Sequence, residues 1–486
     1  MKKIAHLLLG RYSIVAVSII LQFFWLVMVM YQFSYQFTYA NLAIRTIAII
    51  VVLVIVNRWT NPANKLSWTF IILLSPVLGL LLYMIFGRSS LTKKTQERMD
   101  SVNREVSACL YQTPEIKEQL EKEDISVYRQ SKYINDWAGF PLYHHTSTNY
   151  YRCGEGMFPD MLAELEKAEH FIFLEYFIID EGTMFDSIVD VLERKSKEGV
   201  DVRLIYDDIG CINTLPPKYY KKLQEKGIKC AAFNPFRPIM SVVMNNRDHR
   251  KIFVVDGKVG FTGGINLADE YINKASRFGY WKDTGIRLEG EAVWSMTVMF
   301  LEMWNYINHS SEDYKQFMPQ VYQSEPFEED GYVQPYGDTP LDHETVGENI
   351  YLNIINHAEH YVYIFTPYLI IDNEMLVSLC NAAKRGVDVR IVTPGIPDKK
   401  MVYLLTQSHY EPLLKCGVKI YQYTPGFIHA KSFLCDDKIG TVGSINLDYR
   451  SLYLHFECGV FMYKTKALVQ LKQDCMDTFA QSEEMT

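Results

Sequence analysis

The sequence predicts an α/β fold with two duplicated α/β sandwich domains, related by a pseudo-two-fold axis and preceded by an N-terminal transmembrane helical region. The main observation is a motif, His-x-Lys-x-x-x-x-Asp, that occurs at His249–Asp256 and again at His429–Asp436. Each copy is followed after six residues by a similar tetrapeptide, Gly263–Asn266 and Gly443–Asn446. Similar strand-like segments precede both copies, and the long uncharged segments are confined to the first 90 residues.

Two N-terminal segments are long and apolar enough to cross a bilayer. Ile14–Tyr31 carries no charge, and Leu66–Gly87 is uncharged and contains Pro76, which a spanning helix tolerates as a kink. We expect each segment to form one membrane-spanning helix. No small-x-small cleavage site follows the first segment, so a cleaved signal peptide fits poorly.

A third uncharged segment, Thr46–Asn57, lies between two arginines and is short. It spans a bilayer only if Arg45 snorkels to the interface and Tyr39–Leu42 belongs to the same helix. Basic residues flank both ends of the hydrophobic region, which favours a cytoplasmic position for both ends and an even number of spans. The sequence therefore predicts a multi-pass membrane protein and leaves the number of crossings open, because the short segment can also be interfacial or re-entrant.

Charge is strongly segregated along the chain. Residues 1–100 carry ten Lys/Arg and two Asp/Glu, whereas the remainder carries the other 39 and 55. Basic residues beside membrane segments suit anionic lipid headgroups. An acidic remainder argues against nucleic acid as a partner, because non-specific binding to phosphate backbones requires a basic surface.

The nine cysteines are scattered and include no Cys-x-x-Cys pair. This pattern does not indicate a disulfide framework or a zinc site. It is typical of a reduced compartment, so we expect the catalytic part of the chain to be cytoplasmic.

The chain divides into four predicted regions. Residues 1–90 hold the membrane helices, and residues 91–135 form a charged, helix-prone connecting region. The two α/β domains are predicted over residues 136–320 and 321–486. Runs of Val, Ile and Phe that alternate with helical stretches indicate buried strands joined by helices.

The two domains repeat each other over about 100 residues. The apolar strand His170–Asp180 corresponds to His360–Tyr368, and Gly199–Asp208 corresponds to Gly386–Pro394. The spacing between corresponding positions shrinks slightly along the repeat, which indicates shorter loops in the second copy. A duplication of this length indicates two copies of one domain that bring their motifs together.

Each motif places a histidine and a lysine on the same face of an extended segment, because residues i and i+2 of a strand point the same way. His249 and Lys251 would then converge with His429 and Lys431. An imidazole can attack phosphorus, and a second one can protonate a leaving alkoxide and deprotonate an incoming alcohol. The two lysines would stabilise the phosphate oxygens, so the doubled motif suits phosphodiester chemistry without a metal.

Each motif aspartate lies seven positions after its histidine, so in a regular strand it points to the opposite face. Asp256 also precedes a glycine, as in a hairpin turn. We expect Asp256 and Asp436 to hold the hairpin in place. The residues after the turn return toward the histidines and are expected to bind phosphate: Gly264, Asn266, Ser444 and Asn446. Asp283 and Glu457 are the candidate carboxylates that orient the histidines.

The doubled motif resembles that of the phospholipase D superfamily, and almost the whole chain resembles its bacterial cardiolipin synthases. The resemblance rests on the two motifs and on four further segments: Asn61–Arg88, His170–Asp180, Gly263–Tyr271 and Phe278–Thr284. One departure is His455, where the family pattern has Asn before Phe-Glu.

The resemblance implies phosphatidyl transfer between two phosphatidylglycerols, with cardiolipin and glycerol as products. It places both complete motifs, with Asp256 and Asp436, in the catalytic machinery. His249 would be the nucleophile and His429 the acid and base, although the near symmetry of the halves leaves that order open. Neither a cofactor nor a metal is expected, and the partners are phospholipids and the bilayer.

Three alternatives fit the same motifs. Water as acceptor would make the protein a phospholipase D hydrolase, and another alcohol would make it a different phosphatidyltransferase. A membrane-tethered phosphodiesterase acting on nucleic acid fits the chemistry but not the acidic charge. The sequence leaves the oligomeric state, the acyl-chain preference and the range of acceptor alcohols open.

Overall fold

A computed structural model describes residues 23–25, 27–28, 32, 38–58, 61–87, 106, 108–235, 246–322, 326–342 and 344–486. The chain forms two compact units. The first contains the N-terminal region to Ser90, and the second contains nearly all of the chain from Leu91 onward.

The N-terminal unit contains three described helices, Thr38–Val56, Pro62–Leu74 and Pro76–Phe86. Within the described residues, the stretch Tyr39–Val56 is the one helix long and apolar enough to cross a membrane. This helix joins Tyr39–Leu42 and Arg45 to the short segment Thr46–Asn57. The short segment needed this extension to be long enough to cross a bilayer. The other predicted span, Ile14–Tyr31, lies largely outside the described residues.

The segment Leu66–Gly87 does not form one kinked helix, so that prediction is wrong. The helix ends at Leu74, Ser75 leaves the helical conformation, and Pro76 begins a second helix. A side chain at Gly79 would come within 2.5 Å of the Ile72 Cα, so the second helix folds back closely on the first. At 1.5 Å per residue, each helix is about 20 Å long or shorter, less than the bilayer core of about 30 Å.

The larger unit begins with the helices Pro114–Glu123 and Ile125–Ala138. They lie in the region predicted as a connection, but their apolar side chains are buried, including Leu120 and Ile134. The Gln334 amide donates to the backbone oxygen of Ser131 at 3.1 Å. These helices therefore pack against the second half of the unit.

The first half is built on a seven-stranded mixed sheet. Its strands, in spatial order, are Thr146–Tyr151, Gly285–Gly290, Val259–Gly263, Ile252–Val255, Phe171–Tyr176, Asp201–Asp207 and Lys229–Phe233. Its helices are Gly154–Lys167, Thr183–Lys197, Tyr220–Glu225, Val293–Asn308 and Pro319–Tyr322, with 3₁₀ turns at Asp269–Ile272 and Tyr314–Phe317.

The second half repeats that connectivity. Its main path runs Tyr332–Asp338, His455–Tyr463, Ile439–Gly443, Ser432–Cys435, Tyr361–Phe365, Asp388–Pro394 and Lys419–Tyr423, and the strand Ser482–Glu484 is added at the edge. Its helices are Val346–His357, Asn373–Lys384, Lys400–Ser408, Tyr410–Lys415, Tyr449–Tyr453 and Lys466–Ala480. The same spatial order in both sheets confirms the duplicated α/β fold, while the exact domain boundaries stay a prediction.

Two short strand pairs join the halves. Arg247–Asp248 from the first half runs parallel to His455–Phe456 from the second, and Gly426–Ile428 runs parallel to Tyr280–Lys282. A short third pair, Leu369–Ile370 with Leu447–Asp448, lies within the second half. Each motif histidine therefore follows directly after a strand that is bound to the opposite half.

Candidate active site

The two His-x-Lys segments lie where the chain passes from one sheet to the other. Each follows a strand bound to the opposite half and precedes a hairpin strand of its own sheet, Ile252–Val255 or Ser432–Cys435. The four motif side chains are nearly fully buried: His249, Lys251, His429 and Lys431. This local geometry differs from the continuous strand expected, but it carries both motifs to the boundary between the halves.

His249 is held by a carboxylate from the other half. Its Nδ1 lies 2.9 Å from both carboxylate oxygens of Glu457. Ser444 Oγ also donates to Glu457 Oε2. Burial on its own would raise the pKa of Glu457, but His249 and His455 lower it overall, so the group is a carboxylate. Because a carboxylate only accepts, Nδ1 carries the proton and the Nε2 lone pair is left for chemistry.

His429 is held in the reciprocal way by Asp283 of the first half. Its Nδ1 lies 2.6 Å from Asp283 Oδ2 and 2.8 Å from the Lys431 ammonium nitrogen. Burial raises the pKa of Asp283 to about 6, against the opposing charge of Lys431. Any side chain at Gly264 would meet an Asp283 oxygen at 2.0 Å, so glycine here makes room for the carboxylate.

The two lysines join the motifs electrostatically. Burial lowers the pKa of Lys251 to about 8 and that of Lys431 to about 7. The positive charge of Lys251 also lowers the pKa of Asp283, of Lys431 and of His429. Lys431 and His429 belong to the other motif, and Asp283 contacts it. Burial and these lysines hold the pKa of His429 well below its ordinary value, which favours a neutral imidazole. The arrangement brings two lysines and two oriented imidazoles together, a combination suited to a phosphate group.

The motif aspartates lie at the hairpin turns and bind backbone. The Asp256 carboxylate accepts from the backbone nitrogens of Glu169, His170 and Phe171, each at 2.8 Å. Asp436 accepts in the same way from Glu359, His360 and Tyr361. Their φ angles of 50° and 51° also place both residues in the turn.

The two motif asparagines differ in their contacts. Asn266 accepts from the Ile178 nitrogen at 3.0 Å and donates to the Tyr271 hydroxyl at 2.7 Å. The Asn446 side-chain oxygen is buried and has no hydrogen-bond partner among the described residues. Both side chains are nearly fully buried, but it is Asn446 that retains an unsatisfied polar group.

Aromatic side chains surround the histidines. Phe177 meets the His249 ring edge-on at 4.9 Å between centroids, and Tyr271 meets His429 at 5.5 Å. Trp281 and Phe427 lie 5.4 and 5.8 Å from His429. None of the four is among the site residues predicted from the sequence. The available signal was that Phe177, Tyr271 and Trp281 lie within segments that resemble the family.

His455, the departure from the family pattern, lies beside the nucleophile candidate. Its ring is 5.6 Å from that of His249, and its Nδ1 is 3.7 Å from Glu457 Oε1. Arg450 Nε donates to His455 Nε2 at 3.3 Å, which leaves the proton of a neutral ring on Nδ1. His455 is therefore oriented toward the carboxylate that holds His249.

Two groups of described side chains could hold a metal ion. One is His249, His455 and Glu457, and the other is His144, His145 and Glu329. In the first group, His249 and Glu457 are already hydrogen-bonded to each other. That group therefore fits a histidine oriented by a carboxylate at least as well as a metal centre.

Comparison with known proteins places this geometry in a family. A model described as "Cardiolipin synthase, PLD-like domain" matches the chain twice, at residues 161–277 and 351–480. A second model, "Phospholipase_D-nuclease N-terminal", matches residues 46–88. The family match thus covers both motif-bearing halves and the N-terminal helices.

Relatives that align over most of the chain support the same family. Cardiolipin synthase 1 of Bacillus anthracis is 34% identical, with 93% of this chain and 89% of that protein covered. The cardiolipin synthase of Alkalihalophilus pseudofirmus is 33% identical over 85% of this chain and 82% of that protein. An uncharacterized protein of Streptococcus mutans is 47% identical over 90% of this chain and 94% of that protein.

Among solved structures, the phosphatidylserine synthase of Haemophilus influenzae has the same fold, with a TM-score of 0.54. It covers 74% of this chain and 92% of its own, at 14% identity. The duplicated fold with a histidine–lysine site between its halves defines a phospholipase D superfamily protein. Within that superfamily, the chain belongs to the bacterial cardiolipin synthases, and its N-terminal helices indicate membrane association.

Proposed function

We propose that the protein is a cardiolipin synthase that transfers a phosphatidyl group from one phosphatidylglycerol to another and releases glycerol. The observation that carries the proposal is the reciprocal pairing of each motif histidine with a carboxylate of the opposite half. Two buried lysines accompany the pairs. The names of the relatives support cardiolipin as the product.

In the first step, His249 Nε2 attacks the phosphorus of phosphatidylglycerol. A P–N bond forms, the P–O bond to the glycerol headgroup breaks, and His429 gives its Nε2 proton to the departing alkoxide. The products of this step are glycerol and a phosphatidyl group bound to His249. Phosphate entry raises the pKa of His429, because an anion favours the protonated imidazole.

In the second step, a headgroup hydroxyl of another phosphatidylglycerol replaces glycerol in the site. His429 takes the proton of that hydroxyl, its oxygen attacks phosphorus, and the P–N bond to His249 breaks. Cardiolipin leaves, and both histidines return to their starting protonation. Lys251, Lys431 and the Asn446 amide are the groups proposed to stabilise the phosphate oxygens in both steps.

The unequal carboxylates support His249 as the nucleophile. Glu457 is held ionised by His249 and His455, and its hydrogen bond with His249 Nδ1 keeps His249 in the tautomer with a free Nε2 lone pair. Asp283 has a pKa raised to about 6 and faces His429 together with Lys431. A carboxylate with a pKa nearer neutrality suits the histidine that must both give and accept a proton.

The setting proposed for this reaction is the bacterial cell membrane. The helix that covers Tyr39–Val56 supports a membrane anchor, and the basic residues around the N-terminal region support a cytoplasmic catalytic unit. A multi-pass anchor is part of the same proposal. Tethering keeps the site close to lipid substrates, which raises the rate of encounter.

Trapping the covalent intermediate tests the proposal. Purified full-length protein is mixed with phosphate-labelled phosphatidylglycerol and quenched in alkali, in which phospho-histidine survives. We expect label on the peptide that contains His249, and a chase with unlabelled phosphatidylglycerol should release it as cardiolipin. Release as phosphatidic acid would identify a hydrolase, and label on His429 instead would reverse the assigned roles.

A nuclease assay tests the remaining alternative, a phosphodiesterase that acts on nucleic acid. The protein is incubated with single- and double-stranded DNA and RNA under the conditions that label His249. We expect no cleavage, because the catalytic part of the chain is acidic. Cleavage lost in His249→Ala would support a phosphodiesterase acting on nucleic acid.

A further inference from the structure

We propose that an exposed apolar face beside the active site docks the catalytic unit on the surface of an anionic phospholipid bilayer. This face, called the 396–405 patch, consists of Ile396, Met401, Leu404 and Leu405. Their exposed fractions are 41%, 74%, 58% and 54%. The inference rests on the proposed function, since it concerns delivery of a lipid to that site.

Three of the four patch residues lie on the outer side of the helix Lys400–Ser408, whose inner side is already packed, and Ile396 precedes the helix. Thr406 is buried, and its hydroxyl accepts from the Leu369 backbone nitrogen at 3.1 Å. Met401, Leu404 and Leu405 are spaced i, i+3 and i+4, so they share the opposite face. Folding of the helix against its own half therefore leaves these three side chains in solvent, where a contiguous apolar surface signals a binding surface.

The border of the patch suits an anionic lipid surface. Lys399 and Lys400 are exposed at the start of the helix, next to the apolar side chains, and the Lys399 ammonium also pairs with Asp398 at 2.8 Å. An apolar helix face with adjacent basic residues is the pattern of an interfacial membrane helix. The acidic remainder of the catalytic unit is repelled by an anionic bilayer, so a local basic and apolar surface would determine which side faces the membrane.

The residues between Ile396 and Met401 connect the patch to the active site. The Tyr368 hydroxyl donates to Asp398 at 2.7 Å and accepts from Lys399 at 3.1 Å. The Tyr368 ring lies 6.4 Å from that of Phe427, which lies 5.8 Å from His429. The charges of Asp398 and Lys399 both affect the pKa of His429: the carboxylate raises it and the ammonium lowers it. A bilayer in contact with the patch would therefore present headgroups next to the acid and base histidine.

The strand arrangement gives a second connection. The helix of the patch packs on Leu369, and the strand Leu369–Ile370 pairs with Leu447–Asp448. That second strand directly follows Asn446, the residue with an unsatisfied buried oxygen in the site. Ile396 is also fixed near the site, because its backbone nitrogen donates to the backbone oxygen of Gly426 at 3.1 Å, and Gly426 is the first residue of the strand that leads to His429.

Photo-crosslinking tests the docking without relying on activity. Full-length protein is reconstituted in anionic vesicles that contain a photoactivatable phosphatidylcholine, and lipid-bearing tryptic peptides are identified. We expect lipid on the peptide 401–415 and not on the peptide 467–472, which carries Val469, exposed by 73% on another helix. The peptide 46–58 from the N-terminal apolar helix serves as the positive control. Equal labelling of both test peptides, no lipid on 401–415, or a cross-link from 401–415 to a second copy would overturn the proposal.

An activity comparison tests the purpose of the docking. The variant Met401→Ser/Leu404→Ser/Leu405→Ser is compared with Val469→Ser/Met476→Ser, which changes exposed apolar residues elsewhere. We expect the patch variant to lose about tenfold or more of the rate on bilayer phosphatidylglycerol and to retain the rate on a monomeric short-chain phosphatidylglycerol. Unchanged rates on both substrates, or equal losses on both, would overturn the proposal. If the wild type turned over neither lipid, the proposed function would fail while the crosslinking result would still decide the docking.

Discussion

At the residue scale, the two halves differ where the carboxylates meet the histidines. Glu457 has a serine hydroxyl as an additional donor, whereas at the corresponding position Gly264 makes room for Asp283. The sequence identified both carboxylates as candidates. It could not show that each serves the histidine of the opposite half, because that pairing depends on short strands that cross between the halves.

A first prediction concerns Glu457→Gln. The amide can still accept from His249 Nδ1 but no longer provides negative charge, so the imidazole is stabilised less as charge develops on it. We expect kcat for cardiolipin formation to fall about 100-fold or more, measured on purified protein in lipid micelles. Ser444→Ala is the matched control and should lose less, since the carboxylate remains. A Glu457→Gln rate near that of the wild type would contradict the assigned role.

A second prediction concerns pH. Lys431 has a pKa lowered to about 7 by burial, so its charge is present below that pH and is lost as pH rises through it. Asp283 has a pKa raised to about 6 by burial, so its charge is lost as pH falls through it. We expect kcat/KM to be greatest near pH 6 to 7 and to fall on both sides, with the acid limb reduced in Asp283→Asn. A flat profile from pH 5 to 9 would contradict this account.

At the element scale, the hairpins are the best-predicted parts of the molecule. The Asp-Gly signal after the first motif and the spacing of the repeat predicted where the chain would turn. The N-terminal helices were harder to predict, because two helices that fold back on each other at Ser75 have the same composition as one continuous span. Pro76 is compatible both with a kink and with the first turn of a new helix.

A third prediction tests how the turn aspartates act. Asp256→Ala removes the acceptor of three backbone N–H groups and places alanine in a left-handed conformation. We expect the free energy of unfolding to fall by about 2–4 kcal/mol. Asp256→Asn should lose less, because asparagine tolerates this conformation and keeps an acceptor oxygen. The check is denaturant unfolding in detergent, and equal stability of Asp256→Ala and the wild type would contradict the prediction.

At the scale of the whole molecule, the halves are locked together beyond the site. The buried Lys282 ammonium lies 2.7 and 2.9 Å from the carboxylate oxygens of Asp474, and Tyr150 also donates to Asp474 at 2.7 Å. Lys282 and Tyr150 belong to the first half and Asp474 to the last helix of the second. Lys282 lies in a segment that resembles the family, but its contact with a residue so distant in the sequence could not be predicted from the sequence.

A fourth prediction uses this pair. Asp474→Leu leaves the buried Lys282 ammonium without its carboxylate, and Lys282→Met leaves Asp474 with only the more exposed Arg152, 3.6 Å away, as a cation. Each should destabilise the protein by about 3–5 kcal/mol, with the larger loss for Asp474→Leu. The double variant should lose clearly less than the sum of the two, as measured by denaturant unfolding. Additive losses would show that the two side chains do not stabilise each other.

The central claim is that one site, shared by the two halves, transfers phosphatidyl groups between lipids. The most direct measurement supplies purified full-length protein with labelled phosphatidylglycerol alone and follows every product, beside His249→Ala. The account predicts cardiolipin and glycerol in equal amounts from the wild type and neither from the variant. Phosphatidic acid in place of cardiolipin, or cardiolipin formed equally well by His249→Ala, would contradict it.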